Sequence, residues 1–396
     1  MKILFDFQDM SGGAPRSQLT HMLAMQQLGH EVVATISKDA EVLRGLINCI
    51  KVIEIDRFQV QKPFHNLTVL RQWIHALKAE NPDIIHANRT TQSRFLGVAS
   101  DWVGIPLVFA QAGGEAKLVN LRPLLGKTAI CYSLENKKTF IESGFKQDAI
   151  HVIANRIHAI EELGFISNLS TYPKNVLLTG NIKKGTAIGL LTFLKNFEFA
   201  GLNLESEFLL QIAGKDITPN KAYHDQIIDQ IVKTNIALAG SGKVEHLGWV
   251  DDIVNIQDAA DICIGKGRSI IQPAISGKVC FVLAETGKLT RVSAETFDSL
   301  YEYNFSGRGN QRDDSLEFFN ILSGASAWHN AQQDAAVVQP RILEAYLAEG
   351  AKDKLLAAYS YAFANQERKS NKPKAFVRFT QIYREWLGSK FIRNKT

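Results

Sequence analysis

Two stretches of the sequence combine glycine with cations in an order that suits an anion. In Gly265-Lys266-Gly267-Arg268-Ser269 an apolar run (Ile262, Cys263, Ile264) ends at a glycine, and a helical pattern begins near Ser269. A strand, a glycine turn and a helix start bring backbone N–H groups, a guanidinium and a hydroxyl toward one point, which is the chemistry of a phosphate site. Arg268 can hold two phosphate oxygens at once; the plainer reading is a turn with two solvated cations. Gly180-Asn181-Ile182-Lys183-Lys184-Gly185-Thr186 repeats the order, so Lys183 or Lys184 either neutralises the same charge or lies on a solvated turn. Near the N-terminus, Ser11-Gly12-Gly13-Ala14-Pro15-Arg16-Ser17 follows the first apolar run and opens a helix. Gly12 and Gly13 either admit a ligand to the backbone or only bend the chain. The stretch is not GxGxxG, and Ile36-Ser37 stands where an acidic residue would close the second strand, which disfavours a dinucleotide site.

Single residues give weaker signals. His86 ends a strand, and a histidine there is either catalytic or a satisfied structural residue. Gln111 and Glu115 follow another strand, where Glu115 suits a base or a cap. No Ser-His-Asp arrangement, HExxH or Walker A sequence occurs. The four cysteines (Cys49, Cys131, Cys263, Cys280) are far apart and sit in apolar runs, so neither a metal site nor a disulfide framework is expected. No cofactor is implied.

The elements that must carry these loops alternate. Short strands, apolar on both faces, are separated by amphipathic helices through the first 160 residues or so, and again from Val176. This predicts an α/β fold of two Rossmann-like, doubly wound domains with covered parallel sheets. The expected division is 1–167 for the first domain, a linker at 168–174, 175–365 for the second domain, and 366–396 as a basic C-terminal helix and tail. Ligands of such sheets bind beyond the carboxyl ends of the strands, and two such halves imply a cleft between them.

Length and composition agree with this layout. The chain has 396 residues, 45% of them hydrophobic and 21% charged, which excludes a disordered or fibrous protein. No apolar stretch reaches the ~18 residues of a membrane span, and the N-terminus lacks signal-peptide features, so a cytoplasmic location is expected. Net charge is +5, yet residues 367–396 hold nine Lys/Arg against two Glu, +7 in all. A near-neutral body with a basic tail is not a nucleic-acid-binding pattern.

Seven weak motifs in order carry a resemblance. Gly12-Gly13-Ala14 with Leu28-Gly29-His30-Glu31-Val32 is similar to an opening "GGA…LxxxGHEV"; Pro82-Asp83-Ile84-Ile85-His86-Ala87 to "PDIVHAH"; and residues 150–157 to "IxVIPNGI". Val244-Glu245-His246-Leu247-Gly248-Trp249-Val250-Asp251-Asp252-Ile253 is similar to "VxFLGxVxDI". Ala260-Asp261 then leads into the Gly265–Ser269 turn, and Asn304-Phe305-Ser306-Gly307-Arg308 is similar to a later motif of one bacterial subgroup. Over residues 1–310 the chain resembles the retaining, nucleotide-sugar-dependent glycosyltransferases of the GT-B fold, the "group 1" family.

The resemblance implies transfer of a sugar from a nucleoside diphosphate sugar to a hydroxyl acceptor, saccharide or lipid-linked, in bacterial surface polysaccharide or glycolipid synthesis, without a metal. It implies donor contacts at Gly12, Gly13, Lys184, Gly248, Trp249, Val250, Gly267, Arg268, Ser269 and Gln272, with His86, Gln111 and Glu115 on the acceptor side; no catalytic residue is assigned. The family's E-x7-E glutamates fall on Ile264 and Gln272, and its diphosphate-binding Arg falls on Asn181. The alternative implied by these departures is a GT-B-shaped nucleotide-sugar-binding or regulatory subunit with little or no activity. In the family a late helix packs back on the first domain, a role that residues 375–387 suit. The tail beyond it suits weak contact with an anionic membrane, or is a solubilising end.

Overall fold

The computed structural model describes residues 1–7, 13–37, 50–88, 90–111, 121–157, 172–199, 207–218, 222–238, 240–309 and 312–393. The chain divides into two compact units, Met1–Ile157 with Leu347–Thr396, and His158–Tyr346. No helix among the described residues is long and apolar enough to cross a membrane.

The first unit is built from β1 (Lys2–Asp6), α1 (Gly13–Gln27), β2 (Glu31–Ile36), β3 (Lys51–Glu54), α2 (Pro63–Glu80), β4 (Ile84–Asn88), α3 (Thr90–Val103), β5 (Leu107–Gln111), β6 (Thr128–Cys131), α4 (Leu134–Glu142) and β7 (Ile150–Val152). The strands form one parallel sheet in the order β3-β2-β1-β4-β5-β6-β7. Alternate residues of a strand face opposite sides. Leu4, Ile85 and Phe109 therefore enter one core with Trp73 of α2 and Phe95 of α3, while Ile3, Phe5, Ile84 and Val108 enter the other with Met22 and Met25 of α1.

The second unit contains β8 (Asn175–Thr179), α5 (Lys184–Phe199), β9 (Phe208–Ala213), α6 (His224–Ala237), β10 (Gly242–Gly248), α7 (Ile253–Ala259), β11 (Ile262–Gly265), α8 (Arg268–Ile275), β12 (Val279–Leu283), β13 (Leu289–Arg291), α9 (Phe297–Glu302), α10 (Ser315–Ser323) and α11 (Ala325–Tyr346). The sheet order is β10-β9-β8-β11-β12-β13. It is parallel except for β13, an antiparallel edge strand too short for a periodic signal.

The chain then returns to the first unit as α12 (Lys352–Asn365) and α13 (Lys372–Arg393). This corrects the expected boundaries. Residues 347–365 belong with the first sheet, where Leu355, Ala358, Tyr359 and Ala362, at helical spacing, close the core beside α1. The first crossing falls after Ile157, earlier than the expected linker, of which 168–171 lie outside the described residues. The late helix packs on the first unit as expected, with Ala375 and Ile382 buried against the α2–α3 side and Phe379 and Tyr383 beside them.

Polar groups fix this return. The Gln366 amide accepts from Leu107 N (3.0 Å) and donates to Leu107 O and Thr128 Oγ1 (2.9 Å each), pairing like a short strand. Arg378 Nε and Lys127 Nζ each lie 2.7 Å from the Asp101 carboxylate, joining α13 to α3 in a nearly dry setting.

Candidate functional site

β8 is the point where the second sheet's order reverses: β9 lies on one side and β11 on the other. Such a switch point leaves room for a ligand beyond the strand ends. The register places Gly265, the last residue of β11, beside Thr179, the last of β8. The two cation-bearing turns read from the sequence are thereby brought together within one unit.

Glycine makes this junction possible. A side chain on Gly265 would meet Ser269 Oγ at 2.6 Å and Thr179 O at 2.7 Å. Gly267 adopts φ 57°, ψ −128°, a conformation open to glycine, and caps α8. Its N–H donates to Phe305 O (2.7 Å), which draws residues 304–308 over the turn. Asn304 and Phe305 both have left-handed φ, 53° and 54°. Two such non-glycine residues in succession need outside support, and the fully buried Phe305 ring supplies it against Phe297 and Tyr346.

Arg268 opens α8, and Gln272, one turn on, shares its face. Pro273 cannot donate to the Ser269 carbonyl, which accepts instead from the buried Gln257 amide at 3.3 Å. Ser269 Oγ lies 3.0 Å from Lys266 O and 3.2 Å from Thr179 O. Its proton is held inside the turn, so this hydroxyl ties β8 to α8, in contrast to the expectation of a free phosphate donor. Thr179 Oγ1, also buried there, has no protein partner among the described residues.

The neighbouring turns are stitched to this one. Gly180 N donates to Ala213 O (3.0 Å), Gly214 N to Gly248 O (2.7 Å) and Ile182 N to Lys215 O (3.0 Å). Gly248 has φ 68°. Beyond it Trp249 is 56% exposed, with its Nε1 donating to Asp251 Oδ1 (2.6 Å) and Lys215 Nζ 5.0 Å from the ring centre. Val250 is half-buried after it. Lys183 and Lys184 are exposed at the start of α5. Burial lowers the Lys266 pKa, opposed by Glu285 and reinforced by Arg308, so these three charges feel one another. Cations thus gather beyond β8 and β11, and the first turn of each helix leaves N–H groups without helical partners. The arrangement suits a di-anion such as a diphosphate.

The overall fold recurs in solved structures. A glycosyltransferase from Rickettsia africae superposes with a TM-score of 0.70 at 16% identity, covering 92% of this chain and 99% of that one. HepE from Anabaena, in complex with UDP and glucose, gives 0.68 at 16% identity, over 91% and 99%. The lipopolysaccharide outer core galactosyltransferase WaaB gives 0.61 at 13%, over 91% and 99%. The chain has the GT-B fold. Neither a protein-family model nor a curated protein matches the sequence.

Within this GT-B chain the other expected residues fare differently. Ile264, at the first E-x7-E position, is fully buried in the second core. His86, expected on the acceptor side, lies wholly inside the first unit. It stacks on Phe5 (4.8 Å) with Nδ1 2.7 Å from the Tyr359 hydroxyl. Burial, aided by His21, keeps its imidazole well below its ordinary pKa, so it is a neutral structural residue. The reason is register: His86 pairs with Phe5 on the face that α12 covers. Gln111 ends β5, half-buried. Gly13 opens α1, whereas Gly12 and Glu115 lie outside the described residues.

Sequence reasoning missed Glu285, on the turn after β12. This turn docks along Gly185, Gly189 and Thr192 of α5. A side chain on Gly185 would strike the Glu285 carboxylate, and one on Gly189 would strike Ala284 O. The signal was present: two glycines four apart in a helix each cost about 1 kcal/mol against alanine, which points to a close approach. No metal-binding cluster occurs among the described residues.

Proposed function

We propose that the protein transfers a sugar from a nucleoside diphosphate sugar to a hydroxyl acceptor. The observation that carries this is the convergence, at the switch point of the second sheet, of the Lys184 and Gly265–Ser269 turns on a GT-B frame. Arg268, Lys266, Lys184 and the first turns of α5 and α8 would hold the diphosphate and stabilise the charge that grows on it as the bond to the anomeric carbon lengthens. Gln272, with both donor and acceptor atoms, would meet the ribose, and Gly248, Trp249 and Val250 the base. HepE, with UDP and glucose bound on the same fold, supports a uridine nucleotide as the first donor to try.

Retention of anomeric configuration, a saccharide or lipid-linked acceptor, and a place in bacterial surface polysaccharide synthesis belong to the same proposal. Weak attachment to an anionic membrane is supported by the basic residues of α13 beside its exposed Phe376, Val377 and Leu387. The deciding experiment titrates UDP-, GDP- and ADP-sugars and follows diphosphate release with saccharide acceptors. Saturable binding with acceptor-dependent release and a retained product anomer is expected. Binding without release across acceptors would favour a binding or regulatory subunit, the reading that the buried Ile264 supports. Absence of binding would overturn both.

A further inference from the structure

We propose that Glu285 is the residue that recognises the hydroxyl groups of the donor's sugar, and so sets which sugar is carried. This rests on the donor-site reading above.

The turn after β12 packs closely against α5. Gly287, with φ 87°, would clash with Thr192 if it bore a side chain, and Gly189 lies against the Ala284 carbonyl. Gly307 lies against Ala284 from the other side, where a side chain would be 3.0 Å from Leu283 O. Gly189 of α5, Gly307 and the turn's own Gly287 thus let one short turn pack closely between its neighbours, and the turn presents one carboxylate. Both Glu285 oxygens would lie 2.5 Å from a Cβ on Gly185, in the first turn of α5. The same carboxylate acts on Lys266, which Arg308 also influences. Glu285 is exposed as a residue.

Chemistry divides the parts of a nucleoside diphosphate sugar among these groups. The cations and helix starts match the diphosphate, which only accepts hydrogen bonds. A carboxylate can only accept as well, so beside phosphate oxygens it repels. The sugar attached to the distal phosphate is the adjoining part that offers O–H donors. An ionised carboxylate accepting from hydroxyls gives strong, geometrically demanding hydrogen bonds, and a hydroxyl of inverted configuration would leave it unmatched.

The test compares the parent with E285Q and E285D by equilibrium titration of UDP, UDP-glucose and UDP-galactose, or of the GDP or ADP set if the parent prefers it. E285Q removes the charge; E285D keeps it but draws the carboxylate back by one methylene. Both variants are expected to reduce the affinity gained from the sugar, the ratio of UDP-sugar to UDP binding, by roughly tenfold or more. They are also expected to narrow the preference between epimers, with UDP binding equal or tighter. An unchanged ratio in both variants, or equal loss for UDP and UDP-sugar, would overturn the role of Glu285 while the donor site stands. If the parent binds no nucleotide, the donor-site reading itself fails.

Discussion

Arg268 and Ser269 are adjacent at one helix start and bring different chemistry to a phosphate. The Ser269 hydroxyl donates within the turn, so Ser269→Ala should lower folding stability by about 1 kcal/mol and weaken nucleotide binding only slightly. Arg268→Ala should cost about 1.5–3 kcal/mol of UDP binding, 10- to 100-fold, with uridine changed little. Calorimetric titration of both ligands checks this, and equal losses for the two would count against a phosphate contact. In the first unit, Tyr359→Phe removes the hydroxyl partner of His86 Nδ1. The expected cost is about 1–3 kcal/mol in urea unfolding, because a buried imidazole nitrogen loses its partner. Turnover per folded molecule should not change, which would separate a structural histidine from a catalytic one.

At the level of elements, two junctions are exposed to test. The turns after β8 and β9 meet where Gly214 lies against the Gly180 carbonyl. A side chain at 214 strikes backbone that cannot rotate away, so Gly214→Ala should destabilise by about 2 kcal/mol or more and loosen the donor site with it. A melting temperature within 1 °C of the parent, as a rough limit for a domain of this size, would show that the turn yields. The α3–α13 junction depends on Asp101 between Lys127 and Arg378. Asp101→Asn leaves two buried cations without a counter-charge and should cost about 3–5 kcal/mol.

The same junction has a pH signature. Burial alone would raise the Asp101 pKa, but Lys127 and Arg378 hold it below its ordinary 3.8. Its contribution is present above that value and is lost as pH falls through the folded-state value. Burial, with Arg378, lowers Lys127 to about 8 from 10.5, opposed by Asp101. Between those values the unfolded chain holds the extra proton, so this lysine's share of stability increases as pH rises from 8. Urea midpoints measured across pH should show both slopes in the parent and a shallower acid one in Asp101→Asn, where Glu80, also held low by Lys51 and Lys2, still contributes.

For the whole molecule, the interleaved connectivity makes the two units unequal as fragments. Residues 158–346 form a continuous unit with its own core and should fold when expressed alone, with a single cooperative unfolding transition. Residues 1–157 lack α12 and α13, which bury Leu355, Tyr359, Ala375 and Ile382 in the two cores of the first sheet. That fragment should remain unfolded or molten by near-UV circular dichroism until residues 347–396 are supplied. Cooperative folding of 1–157 by itself would show that the returning helices only decorate the sheet.

What the sequence determined by itself is local. The alternation of apolar runs with amphipathic stretches sets two parallel α/β sheets, because strand and helix periods are written residue by residue. The glycine-cation turns at 180–186 and 265–269 were legible because strand, turn and helix start are contiguous there. Tertiary structure decided the rest. The pairing of β8 with β11 joined those turns, and a strand's own pattern does not name its neighbour. Residues 352–365 show an apolar face, but apolar burial is non-directional, and only the assembled sheets assign that face to the first unit. His86 looked available at a strand end until α12 covered it. Glu285 looked like an ordinary turn residue until Gly185 and Gly189 let its turn settle on α5. In each case the side chain's chemistry is fixed by its type, and its access to a ligand is fixed by which distant element packs against it.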